Sequence, residues 1–296
     1  MTGRYRSVFA PELFRGETFL VTGGGSGIGR CTAHELSALG ATVALVGRRA
    51  DHLESVRAEL AEVGGAATTH MCDIREEEQV RMCVAGILAE HGRIDGLVNN
   101  AGGQFSAPLE AISQKGWETV VRTNLTGGFL MAREVYSQSM HKAGGRIVNI
   151  IADMWNSMPL MGHSGAARAG MLNLTQTAAI EWAHRGVRVN AVAPGWIASS
   201  GFDTYDPETT ARIRSLAQAG PLKRFGNEAE VSAAIVFLMT PAASFISGSC
   251  IRVDGAVPNL KPGYSPPDHT TSRAYEGFHL AKAPRMMDAA SDETQQ

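Results

Sequence analysis

The chain has little that would staple or anchor it. Its 296 residues include four cysteines, Cys31, Cys72, Cys83 and Cys250, scattered and without a C-x-x-C pair. Neither a disulfide framework nor a zinc ribbon is encoded. No group of His and Cys has the spacing of a zinc site, so no metal is expected. No apolar run approaches the ~20 residues that a bilayer needs. The opening MTGRYRSVFAPELFRG has no apolar stretch of the secretory kind, and the closing SDETQQ is not a peroxisomal address of the S-K-L kind. Charge of one sign is missing too: 27 Lys+Arg against 29 Asp+Glu leave a net −2. That balance provides no general basic field for nucleic acid or an acidic membrane surface. A cytoplasmic protein with reduced cysteines is expected.

What is present is an alternation of two periodicities. Short β-branched runs at Thr18–Val21, Thr42–Val46, Thr68–Met71, Gly96–Val98, Arg146–Ile151, Val187–Val192 and Cys250–Val253 read as strands. Between them, helical spacing covers Gly29–Leu39, His52–Val63, Glu76–His91, Trp117–Ser139, Ala166–Ala183 and Ala229–Leu238. Strands alternating with helices give βαβ units and a parallel sheet. Right-handed crossovers place helices on both faces, so the fold class is α/β, a doubly wound Rossmann fold. One domain is expected over residues 1–257, followed by a C-terminal extension over 258–296. The segment Ile197–Gly220 breaks the rhythm at a strand end and reads as a lid over the carboxyl edge of the sheet. The Pro- and Ser-rich extension is either docked or partly disordered.

The most specific physical signal is Leu20-Val21-Thr22-Gly23-Gly24-Gly25-Ser26-Gly27-Ile28-Gly29. An apolar strand runs into glycines and then into a helix. Gly23 permits the tight turn, Gly27 lets backbone approach a pyrophosphate, and Gly29 brings the helix against the strand. Ser26, Ile28 and the other residues at the helix start offer backbone N–H groups at the positive end of its dipole. The second strand ends Leu45-Val46-Gly47-Arg48-Arg49. An NAD site wants an acid there for the ribose 2′-hydroxyl. Glycine occupies that slot and two guanidinium groups follow, which suits the 2′-phosphate of NADP(H).

These residues resemble the classical short-chain dehydrogenase/reductase family over about 15–257. The likeness is carried by Thr22-Gly23-x-x-x-Gly27-x-Gly29, Cys72-Asp73-Ile74, Asn99-Asn100-Ala101-Gly102, Asn124 within Thr123–Gly127, Pro194-Gly195 and Val253-Asp254-Gly255. The resemblance implies that Asp73 anchors the adenine and that Asn100, Ala101 and Gly102 line the ribose. It implies that Pro194, Gly195 and the Ile197 backbone serve the nicotinamide. Asn124, a polar residue inside a helix, should bend it or hold water; the resemblance gives it a proton-relay or water-positioning role. Within the family, Gly102–Phe105, Lys115–Trp117, His163–Gly170, Pro241–Ile246 and Pro267–His269 resemble the peroxisomal trans-2-enoyl-CoA reductases. Val8–Phe14 and Gly29–Leu36 resemble bacterial dehydrogenases of acyclic terpene utilisation. A homotetramer is implied, with the two long helices 117–139 and 166–183 at the interfaces.

The active site departs from the family pattern. A tyrosine four residues before a lysine puts both side chains on one helix face. Here the tyrosine slot is Ser164 and the lysine slot is Arg168, which can hold a ribose hydroxyl or an oxyanion but releases no proton. The family serine falls at Ile151 or Ala152. His163, adjoining Ser164, has the right intrinsic pKa to activate it. Asp153 at a strand end and Tyr205 in the lid are further proton donors to weigh, Tyr136 reads as core, and Leu172 occupies the place of a tyrosine found in the enoyl-CoA branch. Two enzymatic readings follow: NADP(H)-dependent reduction of trans-2-enoyl-CoA thioesters, or an alcohol and aldehyde dehydrogenase for acyclic terpenoids such as citronellol. A third is a catalytically dead nucleotide-binding protein. The intact glycine loop, Asp73 and Asn124 argue against that.

Overall fold

The computed structural model describes residues 3–199, 213–216, 218–282 and 284. Its strands are β1 (Thr18–Thr22), β2 (Thr42–Gly47), β3 (Ala66–Met71), β4 (Gly96–Asn99), β5 (Gly145–Ile150), β6 (Val187–Pro194), β7 (Ile197–Ala198), β8 (Gly226–Asn227) and β9 (Cys250–Val253). Seven of them form one parallel sheet in the order β3-β2-β1-β4-β5-β6-β9. Val21 of β1 lies opposite Leu45 of β2 on one side and Val98 of β4 on the other. The chain therefore reverses its direction of winding at β1, and a crevice opens between the carboxyl ends of β1 and β4. The central strands are apolar at nearly every position because both of their faces are covered.

Helices supply that cover. On one face α1 (Gly27–Ala38), α2 (Ala50–Glu62) and α6 (Glu228–Met239) contribute Leu36, Leu53, Leu60, Val231 and Ile235 to one core. On the other, α3 (Glu77–His91), α4 and α5 (Gly162–Glu181) contribute Val84, Ile87, Met131, Val135 and Ala178 to a second. The helix α4 is composite. Its α-helical segments Gln114–Val121, Gly127–Val135 and His141–Ala143 are joined by π-helical turns at Arg122–Thr126 and Tyr136–Met140. The expected boundaries are thus extended at both ends, and the doubly wound Rossmann architecture is the one observed. Tyr136 stacks on Trp182 with ring centroids 4.3 Å apart, a packing role.

Residues 200–212 and 217, including Tyr205, lie outside the described residues. The flanks of that segment are held: β7 pairs with β8, and buried Ile213 packs with Trp196 and Phe225. The C-terminal extension is docked as far as it is described. Phe278 and Tyr5 bury themselves with Cys31 and Ala229, and the Arg30 guanidinium sits 5.0 Å above the Phe278 ring. Arg6 N–H donates to the Gly277 carbonyl at 2.9 Å, and the Tyr275 hydroxyl donates to the Arg6 carbonyl. Beneath this clasp, Glu35 is fully buried and accepts from Tyr5, Ser7 and Ser232 at 3.1, 2.8 and 2.5 Å. Burial raises its carboxyl above the usual range.

Because Phe278 is 4% exposed and packs with Tyr5, with Cys31 of α1 and with Ala229 of α6, its loss should be felt by the whole domain. Phe278→Ala is expected to cost about 3 kcal/mol, the lower end for a buried phenylalanine. Urea denaturation followed by fluorescence measures it, and an unchanged midpoint would refute the docking.

Candidate active site

The crevice is built by sutures between the β1 and β4 ends. The Thr22 hydroxyl accepts from the Asn100 and Ala101 backbone N–H groups, both at 3.0 Å, and donates to the Val98 carbonyl at 3.3 Å. The Asn100 side chain donates to the carbonyls of Thr22 at 3.0 Å and Gly23 at 3.4 Å. Gly23 turns the chain with a φ of +66°. Gly29 then lies so close that a Cβ there would stand 2.4 Å from the Gly23 carbonyl oxygen. Ser26 is the N-cap of α1, and its side chain makes no capping bond. The start of that helix and its dipole face the crevice.

One end of the crevice is lined by Gly23, Ser26, Gly47, Arg48, Arg49, Asp73, Asn100, Ala101 and Gly102, together with Arg75, which sequence reasoning missed. Arg48 and Arg49 are exposed, and among the described residues neither guanidinium makes a hydrogen bond or ion pair. The Asp73 carboxylate is taken by Arg75, whose Nε donates to Oδ1 at 2.9 Å. That bond, with Arg48 nearby, holds Asp73 below the usual carboxylate range. The only sequence hint of the pairing is its position two residues on.

At the other end, Asn124 sits in the first π turn of α4, buried, and clamps the strand-end loop. Its Oδ1 accepts from Gly103 N–H at 2.9 Å and its Nδ2 donates to the Gly103 carbonyl at 2.8 Å. Gly102 allows three elements to meet: a Cβ there would lie 2.6 Å from Arg168 Nη2 and 2.9 Å from Asn124 Oδ1. Arg168 Nη1 donates to the Ile150 carbonyl at 2.6 Å, while its Nε is buried without a partner. Among the described residues no carboxylate pairs with it. Burial pushes this guanidinium down to about 10, and it stays charged at neutral pH.

Ser164 and His163 are neighbours in sequence, but the structure does not join the hydroxyl to the imidazole. Ser164 Oγ donates to Gln104 Oε1 at 2.7 Å. His163 Nδ1 accepts from the Ser164 backbone N–H at 2.8 Å, and its ring stands edge-on to Phe105 with centroids 4.4 Å apart. Its Nε2 is buried without a partner, and burial lowers its pKa. A buried neutral ring so held is not placed to take the serine proton. Gln104 is the partner that sequence reasoning missed.

Past the end of β5 lies a carboxyl of different character. Asp153 Oδ1 is buried without a partner, and burial, then repulsion from Asp254, raises its pKa. Asp254 is itself engaged by Arg252 Nε at 2.7 Å, and that guanidinium lies 4.9 Å over the Trp155 ring. Gly195 fits against Asp254: a Cβ would approach its Cα to 2.8 Å. Pro194 ends β6, and Ile197 opens β7 just beyond, so the three residues assigned to the nicotinamide side stand at the same sheet edge as Asp153.

The cradle at Gly29, the cavity rimmed by unengaged arginines and the unpartnered helix start fit a dinucleotide. They suit phosphates at Ser26–Gly29 and an adenosine half against Asp73 and Arg48. A second residue without a sequence signal bears on this. Glu228 lines the space beside Gly25, Ser26 and Gly27 with Arg30, His52 and Lys282, and burial raises its carboxyl to about 7. As pH rises through that value the group ionises beside the phosphate position and repels it. The NADPH dissociation constant, read by fluorescence titration, is expected to rise severalfold between about pH 6 and 8, and to stay flat in Glu228→Gln. Equal slopes in the two proteins would refute this role.

Comparison with known proteins agrees with this geometry. A family model described as enoyl-(acyl carrier protein) reductase matches residues 23–257. A solved structure of citronellol catabolism dehydrogenase from Pseudomonas aeruginosa PAO1 is 62% identical, with a TM-score of 0.78, covering 86% of this chain and 99% of that one. A probable 2,4-dienoyl-CoA reductase of the (2E)-enoyl-CoA-producing type from Bacillus subtilis is 34% identical over 239 residues, 80% of this chain and 94% of its own. A putative NAD(P)-dependent gluconate 5-dehydrogenase from Beutenbergia cavernae, solved with bound NADP, is 34% identical with a TM-score of 0.77, covering 85% of this chain and all of that one. The glycine cradle, the clamped strand end and these likenesses together identify the chain as an oxidoreductase of the short-chain dehydrogenase/reductase family.

Proposed function

We propose that the protein reduces an alkene conjugated to a thioester carbonyl, a trans-2-enoyl- or 2,4-dienoyl-CoA, with NADP(H). The observation that carries this reading is Arg168, a partly buried cation with no carboxylate partner among the described residues, in the place where the family pattern has lysine, with a serine where it has tyrosine. Reducing a ketone or aldehyde makes an alkoxide that needs a proton at once. Ser164 is a poor source, because its hydroxyl is given to Gln104 and, among the described residues, no base bonds to it. A conjugated thioester delocalises the charge onto its carbonyl oxygen instead. A fixed guanidinium and neighbouring N–H groups stabilise that oxygen without reorganising. When bound, the cofactor supplies the hydride. Asp153, whose carboxyl burial and then Asp254 raise above the usual range, is the side chain we assign to deliver the remaining proton.

A second reading is favoured by the 62% identity to the Pseudomonas protein: oxidation and reduction of an acyclic terpenoid such as citronellol or citronellal. The two separate in one assay. NADPH consumption is followed with crotonyl-, hexenoyl- and decenoyl-CoA and with citronellal. Under the first reading, thioesters turn over and Ser164→Ala loses only about tenfold, ~1.4 kcal/mol. Arg168→Ala loses more, because cofactor and oxyanion are both loosened. Thioester turnover that disappears in Ser164→Ala and survives in Arg168→Ala refutes the assignment; turnover of citronellal alone establishes the second reading.

The cofactor preference rests on Gly47 and the two free arginines, and the bound NADP of the Beutenbergia protein supports it. Arg48→Ala is expected to weaken NADPH by about 1.5–3 kcal/mol, as for a hydrogen bond to a charged group, and to leave NADH unchanged. Equal affinity of the wild type for the two cofactors would reject the preference. We further take the assembly to be a cytoplasmic homotetramer. Trp117 and Phe129 on α4 and Ile180 on α5 are large apolar side chains exposed on the two helices assigned to its interfaces.

A further inference from the structure

Away from the crevice, on the edge strand β3, three ligating side chains converge from two elements. His70, Glu90 and His91 each offer one ligand atom, and these three atoms all lie within 4.8 Å of one another. Thr68 and His70, two apart on the strand, share one face. His91 is the last residue of α3 and Glu90 the one before it. The Thr68 hydroxyl stands between the rings, 2.8 Å from His70 Nε2 and 3.0 Å from His91 Nε2. Glu90 Oε2 is 3.8 Å from the first nitrogen and 4.0 Å from the second. Both imidazoles are largely buried, while the carboxylate is half-exposed.

We propose that His70, His91 and Glu90, with the Thr68 hydroxyl or a water as fourth donor, form a structural site for a divalent transition metal, Zn2+ foremost. The donor set is two imidazoles and a carboxylate, which suits zinc and its Irving–Williams neighbours rather than magnesium or calcium. With bonds of about 2.0–2.1 Å, tetrahedral ligand atoms stand about 3.4 Å apart. The carboxylate–imidazole separations exceed that by only a few tenths of an ångström, a distance that side-chain rotation closes.

Two further features favour a cation there. The hydroxyl has one proton and can donate to only one imidazole, so the other must turn its own N–H inward; a metal accepts both lone pairs at once. The site also lies at the carboxyl end of α3, the negative end of its dipole. The expectation of no metal came from spacing along the chain, and this set combines a strand residue with a helix end twenty positions later. Bound metal would pin the end of α3 to β3. That strand runs on two residues later into Cys72 and Asp73, which line the adenosine cavity. The proposal does not depend on the substrate reading.

The test uses full-length, tag-free protein freed of metal by chelator dialysis. Zn2+ is titrated by calorimetry, and Co2+ is added to read ligand-field absorption. The expected result is one ion per chain, a tetrahedral Co2+ spectrum and a raised melting temperature. All three are lost in His70→Ala and His91→Ala, with NADPH binding kept as the folding control. Glu90→Gln, at a half-exposed position that folding tolerates, should weaken Zn2+ at least about tenfold, no less than loss of an outer-shell partner. No binding by the wild type overturns the proposal. So does an ion whose affinity and spectrum are the same in Glu90→Gln and His91→Ala, which would be adventitious only.

Discussion

Thr22 ties β1 to β4 at one atom. Its hydroxyl oxygen accepts two backbone N–H groups from the β4 end and returns its proton to Val98, so strand, glycine turn and the loop after β4 move as one body. The rest of the nucleotide end depends on that tie. With Asn100 drawn onto the Gly23 carbonyl, the first turn of α1 can press against the turn only because Gly29 has no side chain. The space so formed is bounded by backbone donors rather than by rotamers, and a rigid, dipolar cradle costs no side-chain entropy when an anion arrives.

The substrate end is governed by a different constraint. A partly buried guanidinium with one carbonyl partner and a buried, unbonded Nε carries a desolvation cost that is only partly repaid. The fold tolerates it by bringing Gly102 and Asn124 up to it, where a Cβ would not fit. Under the proposed thioester reading, negative charge developing nearby would relieve that cost. The neighbouring serine is bound to an amide and the neighbouring histidine to backbone.

What was legible in the sequence followed from local rules. The strands were readable from their short β-branched runs, and the glycine loop because its geometry leaves few alternatives. The π turns of α4 were not, since the first holds an asparagine whose partner, Gly103, lies 21 residues away. The pairing of His163 with Ser164 looked plausible on paper because they are adjacent, but adjacent residues on a helix do not face each other. Gln104 acts through Ser164, 60 residues away, and Glu228 through a position beside the Gly25–Gly27 turn, neither of which is visible before the chain folds. The isolation of Arg168 was invisible for the same reason: a missing counter-ion leaves no mark on a sequence.

The clasp between Arg6 and the 275–277 segment joins positions 270 residues apart. Closing a flexible loop of that length costs roughly 5 kcal/mol of chain entropy, more than a few hydrogen bonds and one aromatic contact return until the sheet has already brought the ends together. The clasp therefore belongs to the last stage of folding.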